Sequence, residues 1–401
     1  MKKKILKCTK KKKKNKQLLT ENLDGEHNMS NKEAYMKLIE RHREWVFGLP
    51  DSEFLMPLLE LRFTSEEAEF LSNLPFMPHT AEKLSESLNI DIDVVSEKLD
   101  DFAKRGLVMR VEGRRRIQYA LTDAIFNFYR MPGWKGGVDE WNRKIVPYIN
   151  QYYIDAMANE FLNHPTQGLR AIPINETIKD PRKIMPYEDI LKVIDSAKYF
   201  AVSTCACRHR HNLDPEFEEC KHETMNCLHF DTLGKYTVQN GLGKEITKEE
   251  TLEILAKAAD AGLVHGVSNT KNGVDTICNC CPCCCLYLES IVKMPAPVPR
   301  GHQPSNYVRE IDEEKCIGCG LCARRCPMKA IDHIKEEKRV IFNPDQCIGC
   351  GVCVHKCPKE AIYLVHSEGE IDVPSNMMEL GLRLLNERGR NLDTVRRKNT
   401  L

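Results

Sequence analysis

The sequence predicts an α+β protein of several domains, and three observations carry that reading. Residues 52–130 run through helix-period segments and then switch to strand alternation. Residues 131–293 mix helix and strand patterns around ten cysteines, a Cys-rich α/β middle domain. Residues 309–365 contain the run C-x2-C-x2-C-x3-C-P twice, in "CIGCGLCARRCP" and "CIGCGVCVHKCP". At 401 residues the chain is long enough for each region to bury its own core.

Residues 1–28 precede these regions. Their first sixteen, "MKKKILKCTKKKKKNK", hold ten lysines and no acid, which reads as a disordered basic arm. The arm lacks the apolar stretch and cleavage-like end of a signal peptide. Met29 opens a helical segment, "MSNKEAYMKLIERHREW", so translation from there is one expectation for the arm. Over the whole chain 59 Lys plus Arg balance 58 Asp plus Glu, which leaves no global field aimed at nucleic acid or membrane. No run of eighteen apolar residues occurs, so no membrane span is expected and a cytoplasmic location is.

In the first domain, residues 29–130, "FTSEEAEFLSNL" carries a capping box, Thr64 with Glu67 three residues on. "TAEKLSESLN" spaces Ala81, Leu84 and Leu88 along one helical face. "DIDVVSEKLDDFAKRG" places Val94, Val95, Leu99, Phe102 and Ala103 together and ends at Gly106, a C′ position. "LVMRVEGRRRIQYAL" then alternates, with Leu107, Met109 and Val111 inward, a turn at Gly113, and Ile117, Tyr119 and Leu121 inward. Three helices followed by a two-stranded wing resemble the winged-helix fold of small transcription regulators. The would-be recognition helix carries Asp91, Asp93, Glu97, Asp100 and Asp101, which would meet phosphate with like charge. Only the wing, with Arg114, Arg115 and Arg116, favours nucleic acid. A protein–protein or homodimer role therefore outweighs DNA readout, with a redox-sensing DNA-binding regulator as the alternative.

Nineteen cysteines without an export signal point to metal ligation rather than disulfides. Apart from Cys8, all lie between 205 and 357. The paired runs at 316–327 and 347–358 closely resemble the bacterial two-[4Fe–4S] ferredoxin family over residues 309–365. That resemblance implies one cluster on Cys316, Cys319, Cys322 and Cys357, and a second on Cys347, Cys350, Cys353 and Cys326, because the fourth cysteine of each run serves the other cluster. It also implies one-electron, low-potential transfer to or from a redox partner protein. Gly318, Gly320, Gly349 and Gly351 permit the tight turns and close approach of backbone N–H groups to sulfur.

The middle domain, residues 131–293, offers Cys205, Cys207, Cys220, Cys227, Cys278, Cys280, Cys281, Cys283, Cys284 and Cys285. "KIMPYEDILKVIDSAKYFAVSTCACRHRH" reads as an amphipathic helix running into a strand, which would put Cys205 and Cys207 on one face, with His209 and His211 beyond them. Cys220 and Cys227 fall in an expected loop. "ITKEETLEILAKAADAGL" is a helix with Thr247 and Glu250 as its capping box. "GLVHGVSN" and "GVDTICNCC" read as strands, with Cys278 and Cys280 sharing a face before Pro282 ends the ladder. Ten thiols exceed one zinc site; they suit one or two further Fe–S clusters, with zinc and buried thiols as the alternative. Adjacent cysteines project differently, so Cys283, Cys284 and Cys285 are not expected to share one metal. His209, His211, His222, His229 and His265 are uncommitted, as are Arg208 and Arg210.

Taken together, "CACR", "GLVH", "ICNCCPCCC" and the paired runs, over roughly residues 33–365, resemble a group of iron–sulfur proteins of anaerobes with the same domain order. The resemblance implies anaerobic metabolism and names no substrate. "MPAPVPRGHQP" within residues 294–308 reads as a semi-rigid linker, and residues 366–401 as a short helix, "NMMELGLRLLNER", and a basic tail. The expected function is electron transfer between a partner, the two ferredoxin clusters and a middle-domain cluster, in an iron–sulfur oxidoreductase if the chain is an enzyme. No catalytic acid–base set and no nucleotide-binding fingerprint is readable.

Overall fold

The computed structural model describes residues 29–113, 115–160, 162, 164–174, 177–178, 186–288 and 301–390. The basic arm, Arg114 of the wing, most of the proline-rich stretch and the final tail lie outside the described residues. What is described mixes helix and strand throughout.

Helices α1 (Met29–Arg43), α2 (Leu55–Arg62), α3 (Ser65–Ser72), α4 (Ala81–Leu88) and α5 (Ile92–Lys104) come first. Both halves of the α3 capping box form: the Glu67 N–H donates to Thr64 Oγ1 at 3.2 Å, and the Thr64 N–H to Glu67 Oε2 at 2.9 Å. α5 buries Val95, Leu99, Phe102 and Ala103 and stops where Gly106 adopts φ of 73°. Val94, expected on that face, is 45% exposed, because it sits about 100° around the helix from Val95.

The hairpin of β1 (Val108–Glu112) and β2 (Ile117–Leu121) follows, paired from Val108 opposite Leu121 to Glu112 opposite Ile117. Its alternation is blurred. Ile117, at the tip, is exposed, whereas Val108 on the opposite parity is buried. The cause is a second layer: helix α9 (Asp231–Gln239) covers the hairpin, and the Tyr236 hydroxyl donates to Val108 O at 3.0 Å and Ala103 O at 3.1 Å. Helix α6 (Glu140–Asp155) joins this region to the next, with the Tyr153 hydroxyl bonded to Leu286 O.

The middle region is a seven-stranded sheet, ordered β6-β4-β5-β8-β7-β3-β9. Its strands are β3 (Leu169–Ala171), β4 (Phe200–Thr204), β5 (Met225–Phe230), β6 (Lys244–Glu245), β7 (Val264–Ser268), β8 (Thr276–Cys280) and β9 (His302–Gln303). All neighbours are antiparallel except β3 and β9. One face packs Val202, Leu228, Phe230, Val267 and Ile277 against α7 (Ile190–Ser196) and α10 (Lys248–Asp260). The α10 capping box forms as Thr247 and Glu250 predict.

Strand alternation then sends Cys227, Cys278 and Cys280 to the opposite face. There helix α8 (Ala206–Leu213) and the turn Met131–Trp134 close over them; the Trp134 ring lies 4.3 Å from that of His229.

Two local expectations are corrected here. β4 ends at Thr204, so Cys205 is the N-cap of α8 and Cys207 lies in that helix's first turn, rather than both extending a strand. His209 and His211 consequently follow helical, not strand, geometry. Cys227 stands in β5, not in a loop, because Val202 and Leu228 pair across β4 and β5. The end of the expected linker is also structured: His302 and Gln303 pair with Leu169 and Arg170 at the sheet edge.

In the C-terminal region β10 (Tyr307–Ile311) pairs with β13 (Ile362–His366), and β11 (Ile331–Ile334) with β12 (Arg339–Phe342), around the short helix α11 (Leu321–Arg325). Helix α12 (Met377–Glu387) forms where expected and buries Leu380, Leu384 and Leu385. Beyond it, Arg390 Nη2 meets Glu160 Oε2 at 2.8 Å, which ties the last described turn to the first domain. No helix among the described residues is long and apolar enough to cross a membrane.

Candidate metal centres

In the C-terminal region the eight cysteines line two cavities. Cys316, Cys319, Cys322 and Cys357 face one, with Cys353 at its rim; Cys326, Cys347, Cys350 and Cys353 face the other. Backbone donors are aimed at sulfur, Ala330 N to Cys326 Sγ at 3.3 Å and Gly349 N to Cys347 Sγ at 3.4 Å. Such bonds stabilise thiolates that carry iron, so the donor set suits two four-iron clusters. Gly318 shows why the turn needs glycine: at φ of 63° an added Cβ would lie 1.6 Å from Lys338 O.

The two cavities are not equivalent. The first is the outer one, where Cys319 is exposed and Ile317 is 53% exposed. The second backs onto the sheet. Arg325 donates from Nη2 to Ala259 O at 2.9 Å, from Nη1 to Asp260 O at 3.1 Å and from Nε to Val352 O at 3.2 Å. It thereby caps the open carbonyls at the C-terminus of α10. Lys356 and His355 both reach Asp260 Oδ1, at 2.6 and 2.8 Å, and hold its carboxyl below the usual range. Ser305, three residues beyond His302, donates its N–H to Ile348 O at 3.1 Å and its hydroxyl to Gly349 O at 3.0 Å.

The ten middle-region cysteines separate into two groups. Cys205, Cys207, Cys227, Cys278, Cys280 and Cys285 line one cavity between sheet and helices, and Cys281 of the second group also reaches its wall. Arg130, Arg208, Tyr129, Trp134 and Tyr287 complete its wall. The six thiols are electrostatic neighbours in the order Cys205, Cys207, Cys285, Cys280, Cys278 and Cys227. Hydrogen bonds from Cys227 and Cys280 hold Cys278 well below the ordinary thiol range, and those from Cys205 and Cys285 do the same for Cys207. The hydrogen bond to Cys278 followed by burial pushes Cys227 up, and burial pushes Cys285 up.

Cys220, Cys281, Cys283 and Cys284 form the second group, with all four sulfurs within 4.8 Å of one another. Cys284 and Cys285, neighbours in sequence, go to different groups, whereas Cys283 and Cys284 stay together.

Three arginines offset the charge such thiolates bring. Arg208 is fully buried and donates to Glu223 O at 2.8 Å, Asn226 Oδ1 at 2.7 Å and Asn279 O at 2.6 Å. It lies between the groups: burial opposes its charge, but Cys205, Cys281 and Cys220 together hold its guanidinium above the ordinary range. Arg210 donates to Asn150 Oδ1 at 2.7 Å and Cys284 O at 3.0 Å, and Arg130 faces Cys278 and Cys227.

Among the histidines, His302 is the one the sequence did not single out. Its Nε2 lies 3.9 Å from Cys280 Sγ, and with Cys285 the three form a possible ligand trio. Burial depresses it to about 4, so it faces the thiols as a neutral ring. It was concealed in a proline-rich stretch, and only its pairing with β3 brings it to the cavity. The other histidines are engaged elsewhere: His209 with Gly137 O at 2.5 Å, His265 with Asn279 Oδ1 at 2.7 Å, and His211 stacked on Phe217. His229 packs on Trp134, and His222 stands near Cys281 without joining either ligand group.

Residues 309–364 match the family model of a 4Fe-4S dicluster domain. No curated protein and no solved structure matches the chain.

Proposed function

We propose that the dicluster domain carries electrons between an external redox partner and a further Fe–S cluster held by the middle domain. The outer cluster, on Cys316, Cys319, Cys322 and Cys357, takes the partner-facing position because its loop is the exposed one. The inner cluster, on Cys326, Cys347, Cys350 and Cys353, lies against the sheet. Ile348, Cys350 and Val352 belong to the same contiguous buried cluster as Cys280 and Cys285. The observation that carries this reading is the gathering of Cys205, Cys207, Cys227, Cys278, Cys280 and Cys285 on one buried cavity between sheet and helices. When bound, an Fe–S group there supplies one-electron chemistry at a site screened from water. The chain's own residues position it: β5, β8 and α8 supply thiols, Arg208 and Arg130 balance their charge, and His302 offers a neutral nitrogen.

The domain division at 29–130, 131–293 and 309–365 serves that route. The first segment is read as a winged-helix-like unit used for protein contact rather than for DNA. Its acidic residues Asp91, Asp93, Glu97, Asp100 and Asp101 are exposed, and Tyr236 of α9 already occupies the backbone of its wing. The oxygen-sensitive clusters fit anaerobic, intracellular metabolism, in which the chain acts as the redox component of a reductive pathway.

The test is iron and acid-labile sulfide per chain after purification without oxygen, followed by stoichiometric reductive titration. About twelve sulfides and three electron-accepting clusters are expected. About eight sulfides, with only two clusters taking electrons, would end the middle-cluster reading and leave a dicluster carrier.

A further inference from the structure

The second thiol group invites a different chemistry from the first. Cys220 Sγ lies 3.9 Å from Cys281 Sγ and 3.7 Å from Cys283 Sγ, and Cys283 and Cys284 are 3.5 Å apart. Four thiolates bound to one ion at about 2.3 Å in a tetrahedron stand about 3.8 Å from one another, by simple geometry. The cysteines of a cubane each bind a different iron, and their sulfurs must spread around the whole cluster. The same structure provides that comparison internally. The eight cysteines of the dicluster domain form no such tight group among the described residues, whereas these four do.

The geometry points to a mononuclear site: one thiophilic divalent ion, zinc or ferrous iron, held by Cys220, Cys281, Cys283 and Cys284. It goes beyond the electron route and does not depend on a cluster in the neighbouring cavity. The chain's construction supports it. Cys281, Cys283 and Cys284 come from the turn that Pro282 forces at the end of β8, and Cys220 from the loop between α8 and β5. The Cys220 N–H is fixed by Asn212 Oδ1 at 2.9 Å. Four thiolates on a divalent ion leave two negative charges, and the buried Arg208 guanidinium, held charged by Cys205, Cys281 and Cys220 nearby, offsets one. A closed set of four thiolates leaves no open position, which makes the ion structural. It fastens the 214–224 loop to the cysteine turn, and the same turn presents Cys285 to the six-thiol cavity.

The full chain, purified without oxygen, is assayed for zinc, iron and acid-labile sulfide, alongside Cys220→Ser and Cys283→Ser. X-ray absorption is recorded on the wild type at both metal edges. The expected wild type holds about one zinc, whose edge shows a shell of four sulfurs near 2.3 Å and no metal neighbour, or about one iron in excess of labile sulfide. Each variant loses that one ion while labile sulfide stays unchanged. Loss of about four irons together with about four sulfides would instead show a cubane on these cysteines and overturn the proposal. So would a wild type with no zinc and with iron matched one-to-one by sulfide. The wild-type zinc, iron and sulfide counts decide the matter even if a variant fails to fold.

Discussion

Arg325→Ala isolates the contact that holds the dicluster domain against the C-terminus of α10. The side chain makes three hydrogen bonds, at 2.9, 3.1 and 3.2 Å, to Ala259 O, Asp260 O and Val352 O. Bonds from a charged donor contribute about 1.5–3 kcal/mol when buried. The bond to Val352 O stays within the dicluster domain, so two bonds cross to α10, and because Arg325 is only half-buried about 1 kcal/mol each, or about 2 kcal/mol, is the appropriate scale. That corresponds to about a thirtyfold shift in the equilibrium between docked and undocked arrangements.

The Ser305 amide reports it, because its N–H is buried and bonded across the contact to Ile348 O at 3.1 Å. Hydrogen exchange at Ser305 should accelerate by up to about thirtyfold in Arg325→Ala. The β11–β12 hairpin, which makes no part of this contact, should keep its protection. Reduction of the middle-domain metal through the dicluster domain should slow in parallel. Unchanged exchange at Ser305 would refute the argument. So would an equal rise at Ser305 and in the hairpin, since the substitution would then have loosened the small domain rather than its docking.

Three further outcomes follow from the same contacts. Arg208→Met strands three buried acceptors at about 1–3 kcal/mol each, a loss comparable with a domain's whole stability. Middle-domain metal measured by mass spectrometry should fall sharply, and Arg208→Lys, which keeps the charge, should retain more; equal loss in both would remove charge balance from the account. Gly318→Ala, whose Cβ would lie 1.6 Å from Lys338 O, should cost the outer cluster, read as about four irons and four sulfides lost per chain. His42 is fully buried between Phe76 and Phe128, and burial, then the nearby Arg41 charge, lowers it to about 3. A depressed histidine is neutral when folded, so its stabilising share is complete above its unfolded value of about 6.5 and is lost as pH falls from there toward 3. At pH 5 that loss is about 2 kcal/mol, and His42→Leu should flatten the fall in urea midpoint between pH 7 and 5.

Much of the architecture was legible in the chain because it rests on local rules. The capping boxes at Thr64 and Thr247 identify helix starts by the chemistry of a few neighbouring residues. The doubled cysteine run is legible for the same reason, since each loop supplies three thiols at short fixed spacing. Alternation along Thr276–Cys280 likewise places Cys278 and Cys280 on one face without reference to anything distant.

The division of the middle cysteines depended on tertiary structure. Whether Cys205 extends β4 or caps α8 depends on how the chain meets Met131–Trp134, a close approach no local pattern encodes. Cys220 joins Cys281 across 61 residues, and Cys227 comes to face Cys278 only because β5 and β8 are sheet neighbours. His302 enters the cavity through a two-residue parallel pairing at the sheet edge. The sequence by itself determined that this chain binds thiophilic metal and carries a dicluster module, because ligand type and spacing are local. Strand order and helix packing decided which thiols stand together and how far apart, and with that spacing whether they suit a cluster or a single ion.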